Sequence, residues 1–128
     1  MVEGPQRAYF LLMHVEEFRF GLIRIDGRDY EHDVVIARGR VRKRKKKRSR
    51  VFRGQFGHTP LSLEEKIPWR CARLIVGTGA HGRLPVMEEV KREANLRGVT
   101  LAILPTPDAI EELNRANEKA HAILHVTC

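Results

Sequence analysis

The residues of this chain whose types and spacing could do chemistry are Gly77-Thr78-Gly79-Ala80-His81-Gly82 and the Arg83 that follows. The run matches G-x-G-x-x-G between an apolar strand pattern and a helix, the setting in which such a loop cradles a phosphate. Glycines let backbone amides approach an anion, and the following helix N-terminus adds a favourable dipole. Arg83 could add a two-pronged contact to a phosphate or carboxylate. Two features argue against a nicotinamide cofactor. The next strand ends in Leu104-Pro105-Thr106, with no acid to hold a ribose, and too few residues follow for a second nucleotide-binding half. Two alternatives stay open: a small anion site on Gly77, Thr78, Gly79, His81, Gly82 and Arg83, or a tight strand-to-helix turn.

The other reactive side chains offer less. His121 and His125 are four apart on a strand pattern, where such positions share a face about 13 Å apart, too far for one metal ion. They are expected to line the strand's less buried face. Cys71 and Cys128 have no base nearby in sequence, and His58 and His81 sit in glycine-flanked loops. No paired carboxylate, lysine-bearing phosphate loop or nucleophile elbow is visible. The reading leans away from an enzyme, with no cofactor and no metal.

A second feature is electrostatic. The chain carries a formal charge of +8, yet eleven of its 24 Lys and Arg lie between Arg38 and Arg53 with no acid among them. The remainder is therefore mildly acidic, and the excess is a patch rather than a property of the whole surface. Arg40, Arg42, Lys43, Arg44, Lys45, Lys46, Lys47, Arg48 and Arg50 are the candidate polyanion contacts. Phe52 and Phe56 beside them could stack bases or anchor the segment to the core. Like charges at every i, i+4 spacing disfavour a strong helix, so residues 38–53 are predicted as an edge hairpin or a loop.

The elements that must position these groups read most clearly in the second half. Arg73–Gly77 and Val99–Leu104 are buried strands, separated by a helix from about Pro85 to Arg97 with Gly98 as its C-terminal cap. Thr106 is predicted to cap the next helix with Pro107 at its first position, and Ala109, Ile110, Leu113, Ala116 and Ala120 form that helix's inner stripe. Ala122–Val126 closes a β-α-β-α-β order. Earlier, Phe18–Ile25 is a strand, Asp26-Gly27 a tight hairpin turn, and Tyr30 with Val34-Val35-Ile36 the return side. Ser62-Leu63-Glu64-Glu65 fits the capping box of a short helix stopped by Pro68.

The fold expected is α/β in three layers: a mixed central sheet with a β-α-β-α-β C-terminal half and an N-terminal β-hairpin layer. Residues 18–128 form one domain, and residues 1–17 an extension or extra strand. With 128 residues, 42% of them apolar and 31% charged, the chain is globular. No apolar stretch is long enough to span a membrane, and the N-terminus does not read as a signal peptide. Two cysteines cannot make a disulfide framework, and a cytoplasmic location is expected.

Five stretches together resemble a known family. They are Ile25-Asp26-Gly27-Arg28-Asp29-Tyr30, Asp33-Val34-Val35, Val76–Arg83, Leu104-Pro105-Thr106 with Ala109 and Asn114, and Leu124-His125-Val126-Thr127-Cys128. The match, from about Phe18 to Cys128, is to the Mth nine-three-eight domain family of small, largely uncharacterised proteins. That family includes a human adipogenesis-associated cytoplasmic protein and a mitochondrial assembly factor for respiratory complex I. The resemblance implies a three-layer α/β domain, no established activity or cofactor, and partner-binding or assembly roles. It adds Pro105, Thr106 and Asn114 to the glycine loop as pocket residues. The heavy loading of residues 38–53 with Arg and Lys departs from the family pattern.

Three functions follow as expectations. The first is a non-catalytic binding or assembly domain with a small anion pocket at Gly77–Arg83, a protein partner and an oligomeric state left open. The second is a nucleic-acid-associated protein acting nonspecifically through Arg38–Arg53. The third is an enzyme using the glycine loop on a phosphorylated or carboxylated small molecule.

Overall fold

Three apolar runs, Val34-Val35-Ile36, Leu74-Ile75-Val76 and Ala122-Ile123-Leu124, organise the molecule, because successive strand residues point to opposite faces. Val34, Ile36, Ile75, Ala122 and Leu124 enter one core cluster. Val35, Leu74, Val76 and Ile123 enter another. A sheet buried on both sides is the result, as continuous apolar strands require.

The computed structural model describes residues 14–116 and 120–128. Its strands are β1 (Val15–Arg19), β2 (Leu22–Ile25), β3 (Arg28–Tyr30), β4 (Val34–Ala37), β5 (Arg40–Lys43), β6 (Arg73–Gly77), β7 (Thr100–Leu104) and β8 (Ala120–Leu124). Helices α1 (Arg53–Phe56), α2 (Glu88–Leu96) and α3 (Thr106–Arg115) complete it, with a 3-10 turn at Lys47–Phe52. The central sheet runs β5-β4-β8-β6-β7, with β6 parallel to β7 and β8, and β4 antiparallel to β8 and β5. Helix α3 and the separate antiparallel sheet β1-β2-β3 cover one face, contributing Ala109, Val15, Ile23 and Ile25 to its cluster. Helix α2 covers the other through Val90 and Ala94. The three-layer α/β fold read from the sequence is therefore the observed one.

Several local expectations are corrected. Val34–Ile36 does not return beside the first hairpin: β3 ends at Tyr30, and β4 joins the central sheet instead. Helix α2 starts at Glu88 rather than Pro85, because Leu61 bridges Val86 and its amide donates to the Pro85 carbonyl. Helix α3 ends at Arg115, so Ala120 is the first residue of β8 and not part of the helix stripe. All five residues of β8 are buried, His121 included, so the strand has no less buried face of the kind expected for the histidines. His121 Nδ1 bonds the Pro68 carbonyl at 3.0 Å, and His125 lies beyond the strand.

Ser62–Glu65 forms a turn and not a helix. The Ser62 hydroxyl accepts from the Glu64 amide at 3.2 Å, but the Glu65 carboxylate is drawn away to Arg44. The hairpin turn at Asp26-Gly27 has the two left-handed residues expected, with φ of 49° and 81°. Of the stretch read as an extension or extra strand, residues 1–13 lie outside the described residues, and Val15 onward is β1.

Candidate functional site

The register of the central sheet brings together groups that are far apart in sequence. Val34 pairs with Lys43 on one side and Leu124 on the other. The row one step earlier is therefore Arg44, Asp33 and His125, side by side on three neighbouring segments of the backbone. This row lies at the carboxyl ends of β6 and β8, where Gly77 pairs with Leu124. Open α/β sheets bind ligands at that end.

Asp33 is the hub. Its Oδ1 accepts from the Val126 amide at 3.0 Å, its Oδ2 from Arg44 Nη1 at 2.9 Å, and both oxygens lie within 3.0 Å of His125 Nδ1. Burial alone would push the Asp33 carboxyl up. The His125 hydrogen bond and charge, the Val126 amide and Arg44 outweigh it and hold the carboxyl at about 2. Arg44 in turn makes a forked pair with Glu65, at 2.8 and 2.7 Å, and donates to the Pro60 carbonyl at 3.1 Å. Burial works against the charged guanidinium, but the two carboxylates raise its pKa further from neutrality. Ser49 donates to Glu65 at 2.6 Å and accepts from Ser62, also at 2.6 Å.

The Asp33 carboxylate fixes the histidine tautomer. With Nδ1 donating to it, Nε2 faces the Thr127 hydroxyl at 3.2 Å. Beside this edge lies a cleft of about 360 Å³, lined by His125, Thr127 and Cys128 of the C-terminal tail and by Lys46, Arg50, Arg53 and His58. The cations come from the 3-10 turn and the start of α1, so the basic segment contributes one side of the site. A neighbouring cleft of about 310 Å³ gathers Arg42, Lys45, Lys47 and Arg48, but Glu64 and Glu65 line it as well and offset its charge.

The glycine loop sits next to this cleft with its amides already engaged. Thr78 donates to the Leu104 carbonyl at 2.8 Å, and Gly79 to the Thr106 hydroxyl at 2.8 Å. Ala80 donates to the Thr127 carbonyl, His81 and Arg83 to the Cys128 oxygen, and Gly82 to the Gly79 carbonyl, all between 2.7 and 3.2 Å. Thr127 and Cys128 thus lie where an anion was expected. A Cβ on Gly79 would stand 2.1 Å from the Cys128 carbonyl carbon, so glycine is required there by this close approach and by its φ of +104°.

The remaining expected site residues separate. Thr106 is buried, but its hydroxyl donates to the His125 carbonyl at 2.7 Å instead of capping α3, whose cap position is Pro105. Asn114 is far from the loop in role. Its amide group accepts from the Val15 amide and donates to the Val15 carbonyl, both at 3.0 Å, clamping β1 onto α3. His81 and Arg83 are exposed, His81 with its ring 6.4 Å from that of Phe20.

In the basic segment, Arg40, Arg42 and Lys43 lie on edge strand β5, and Lys45, Lys47, Arg48 and Arg50 follow it, with Lys46 among them on the cleft wall. Residues 38–53, expected as an edge hairpin or a loop, hold a single strand, β5, which pairs with the preceding β4 at the sheet edge, and then the 3-10 turn. Arg44 is the correction. It is only 3% exposed and committed to Asp33 and Glu65, so it cannot meet a polyanion. Sequence reasoning missed Asp33, His125 and Thr127 as a group. Asp33 and His125 are 92 residues apart, and only the register of β4 on β8 joins them.

Comparison with known proteins adds a family and a fold. Residues 15–126 match the family described as protein of unknown function, DUF498/DUF598. No curated protein matches the chain. Among solved structures it is similar to the conserved hypothetical protein PH1505 from Pyrococcus horikoshii OT3. That likeness is 32% identity with TM-score 0.74, over 91% of this chain and 100% of that one. It is also similar to the protein titled MT938, at 28% identity and TM-score 0.67, over 91% and 99%. A Bordetella pertussis protein described as a Mth938-like domain shares the fold at 20% identity and TM-score 0.60, over 91% and 87%. The family resemblance read from the sequence agrees with these matches.

Proposed function

The chain belongs to the DUF498/DUF598 family of proteins of unknown function, and we propose that it acts as a binding domain for a small anion, seated in the cleft between the basic segment and the C-terminal tail. One observation carries this reading: Lys46, Arg50, Arg53 and His58 line the same cleft of about 360 Å³ as His125 and Thr127, with no Asp or Glu among the described residues that line it. Side-chain cations so placed favour phosphate or carboxylate groups. The site therefore lies beside the glycine loop and not on its amides. The two free, half-buried cysteines suit a reducing compartment, and a cytoplasmic location belongs to the proposal. So does an assembly role, in which a protein partner would sense whether the cleft is filled.

Thermal unfolding with inorganic phosphate at fixed ionic strength tests the reading. Phosphate at about 100 times its Kd stabilises by about 2.7 kcal/mol, and Lys46→Gln with Arg50→Gln and Arg53→Gln abolishes the shift. An equal shift from chloride would overturn the proposal.

A second reading has its own support, the exposed cations on β5 and the following turn, a surface suited to nonspecific nucleic acid. It predicts binding that weakens steeply with salt and responds to phosphate no more than to another salt at equal ionic strength.

A further inference from the structure

We propose that the cleft is also a catalytic site, where Thr127, His125 and Asp33 form a hydroxyl–imidazole–carboxylate relay that hydrolyses phosphomonoesters. The inference rests on the reading of the cleft as an anion site and adds a reaction to it.

The geometry has the parts such a relay needs. A relay of this kind is recognised by the roles of its members and not by their order in the chain. The Asp33 oxygens stand 2.9 and 3.0 Å from His125 Nδ1, and Thr127 Oγ1 stands 3.2 Å from Nε2. The carboxylate sets the tautomer that leaves Nε2 able to take the hydroxyl proton. Asp33 cannot swing away, because the Val126 amide and Arg44 hold its two oxygens from other sides. Arg44 is itself locked by Glu65, so the orientation is built before any substrate arrives.

A purely structural account explains less. Asp33 and the Val126 amide already pin the tail to β4, and the Thr127 hydroxyl is not needed for that. Half-buried like His125, it lines the cleft together with Lys46, Arg50 and Arg53. Phosphoryl transfer needs little else from a protein than a placed nucleophile and cations on the phosphoryl oxygens.

In the first step Thr127 Oγ1 attacks phosphorus while His125 Nε2 accepts its proton. The bond from phosphorus to the leaving oxygen breaks, and the imidazolium returns the proton to that oxygen, releasing the alcohol. In the second step Nε2 takes a proton from water, which attacks the phosphothreonine. The P–Oγ bond breaks, the proton returns to Oγ1, and inorganic phosphate leaves. Water is the sole co-reactant, and nothing is oxidised or reduced.

The test uses the full chain with p-nitrophenyl phosphate, following p-nitrophenol release and, in acid-quenched samples, phosphorylation of Thr127 by mass spectrometry. Wild type turns over and carries the modification. Thr127→Ala, which removes the nucleophile, lowers the rate by at least about 10⁴-fold, the range for losing a member of such a relay, while phosphate still raises its melting temperature. Thr127→Ser keeps the rate within about tenfold of wild type, since it keeps the hydroxyl. Asp33, a positioning residue, shows itself as a fall in kcat with KM unchanged in Asp33→Asn. If phosphate stabilises wild type but no p-nitrophenol is released above the Thr127→Ala level, the relay is overturned and the anion site stands. If phosphate does not stabilise wild type, the anion site fails and the relay with it.

Discussion

The loop Gly77–Arg83 follows β6, and the row Arg44–Asp33–His125 flanks β4 and β8, so both lie at the same end of the central sheet. In the loop every amide from Thr78 to Arg83 has a partner within the chain, and the carbonyls of Thr127 and Cys128 accept three of those bonds. In the row the partners are side chains. They consume one another completely at the Glu65 end and reach a cleft at the Thr127 end. The difference lies in what each region still has to offer. A backbone shaped for an anion offers nothing once the chain itself supplies the oxygens, whereas a side-chain relay stays usable if its last member meets solvent.

The largest effect that tests this contrast is at Arg44. Arg44→Met leaves Asp33 and Glu65 buried without their shared counter-charge, and removing one partner of such a group costs about 3 to 5 kcal/mol. Urea unfolding should show that loss, with Arg42→Gln on the exposed edge within about 0.5 kcal/mol of wild type. Equal, small effects at both positions would mean that the row is not a structural hub.

Gly79→Ala probes the other region and comes next. The added methyl would meet Cys128 at 2.1 Å and sit at a φ of +104°. A loss of about 3 kcal/mol is expected, from strain together with the loosened tail. Gly98→Ala, also at positive φ but in open space, should lose about 1 kcal/mol. If the two variants match, the tail does not press on the loop.

How much of this was legible follows from the range of each signal. The strands Arg73–Gly77 and Thr100–Leu104, the turn at Asp26-Gly27 and the cap at Gly98 are written in adjacent residues, and they stand where the sequence places them. The family pattern marked the loop and the tail as belonging together, but not that one fills the other. Arg44 looks like its eight basic neighbours in sequence; only the register β5-β4 reveals that it points inward to Asp33. Ser62–Glu65 carries a true helix-start pattern, and tertiary competition for the Glu65 carboxylate defeats it. Local chemistry was readable; which distant group claims it was not.

A pH titration sharpens the comparison at the row alone. Asp33 has a folded pKa of about 2, below its ordinary 3.8, so its contribution is present above pH 3.8 and lost as pH falls through 2. The shift corresponds to about 2 kcal/mol. Stability measured by urea unfolding should drop by that amount as pH falls from above 3.8 to below 2. Asp33→Asn should remove that part of the slope while lowering stability at neutral pH. Gly79→Ala removes no member of the row, so it should leave the slope unchanged. A slope altered equally by both variants would tie the two regions into one unit.

The smallest effect is at Asn114, which the family pattern places with the loop and the structure places elsewhere. Its amide group makes two hydrogen bonds to Val15, both 3.0 Å, bridging α3 to β1. Asn114→Ala should therefore cost about 1 to 2 kcal/mol, the range for two partly buried backbone groups that lose their partner but regain some water. Val15 is itself a core residue, so the loss should appear as earlier opening of the β1-β2-β3 sheet, read by amide hydrogen exchange at Val15 and its partner Ile25. The phosphate-induced melting shift should survive in full, because Asn114 touches neither wall of the cleft. A variant that keeps its stability but loses the phosphate shift would move the site back to the loop and its pattern residues. The loop, and not the row, would then be the region with something left to offer a ligand.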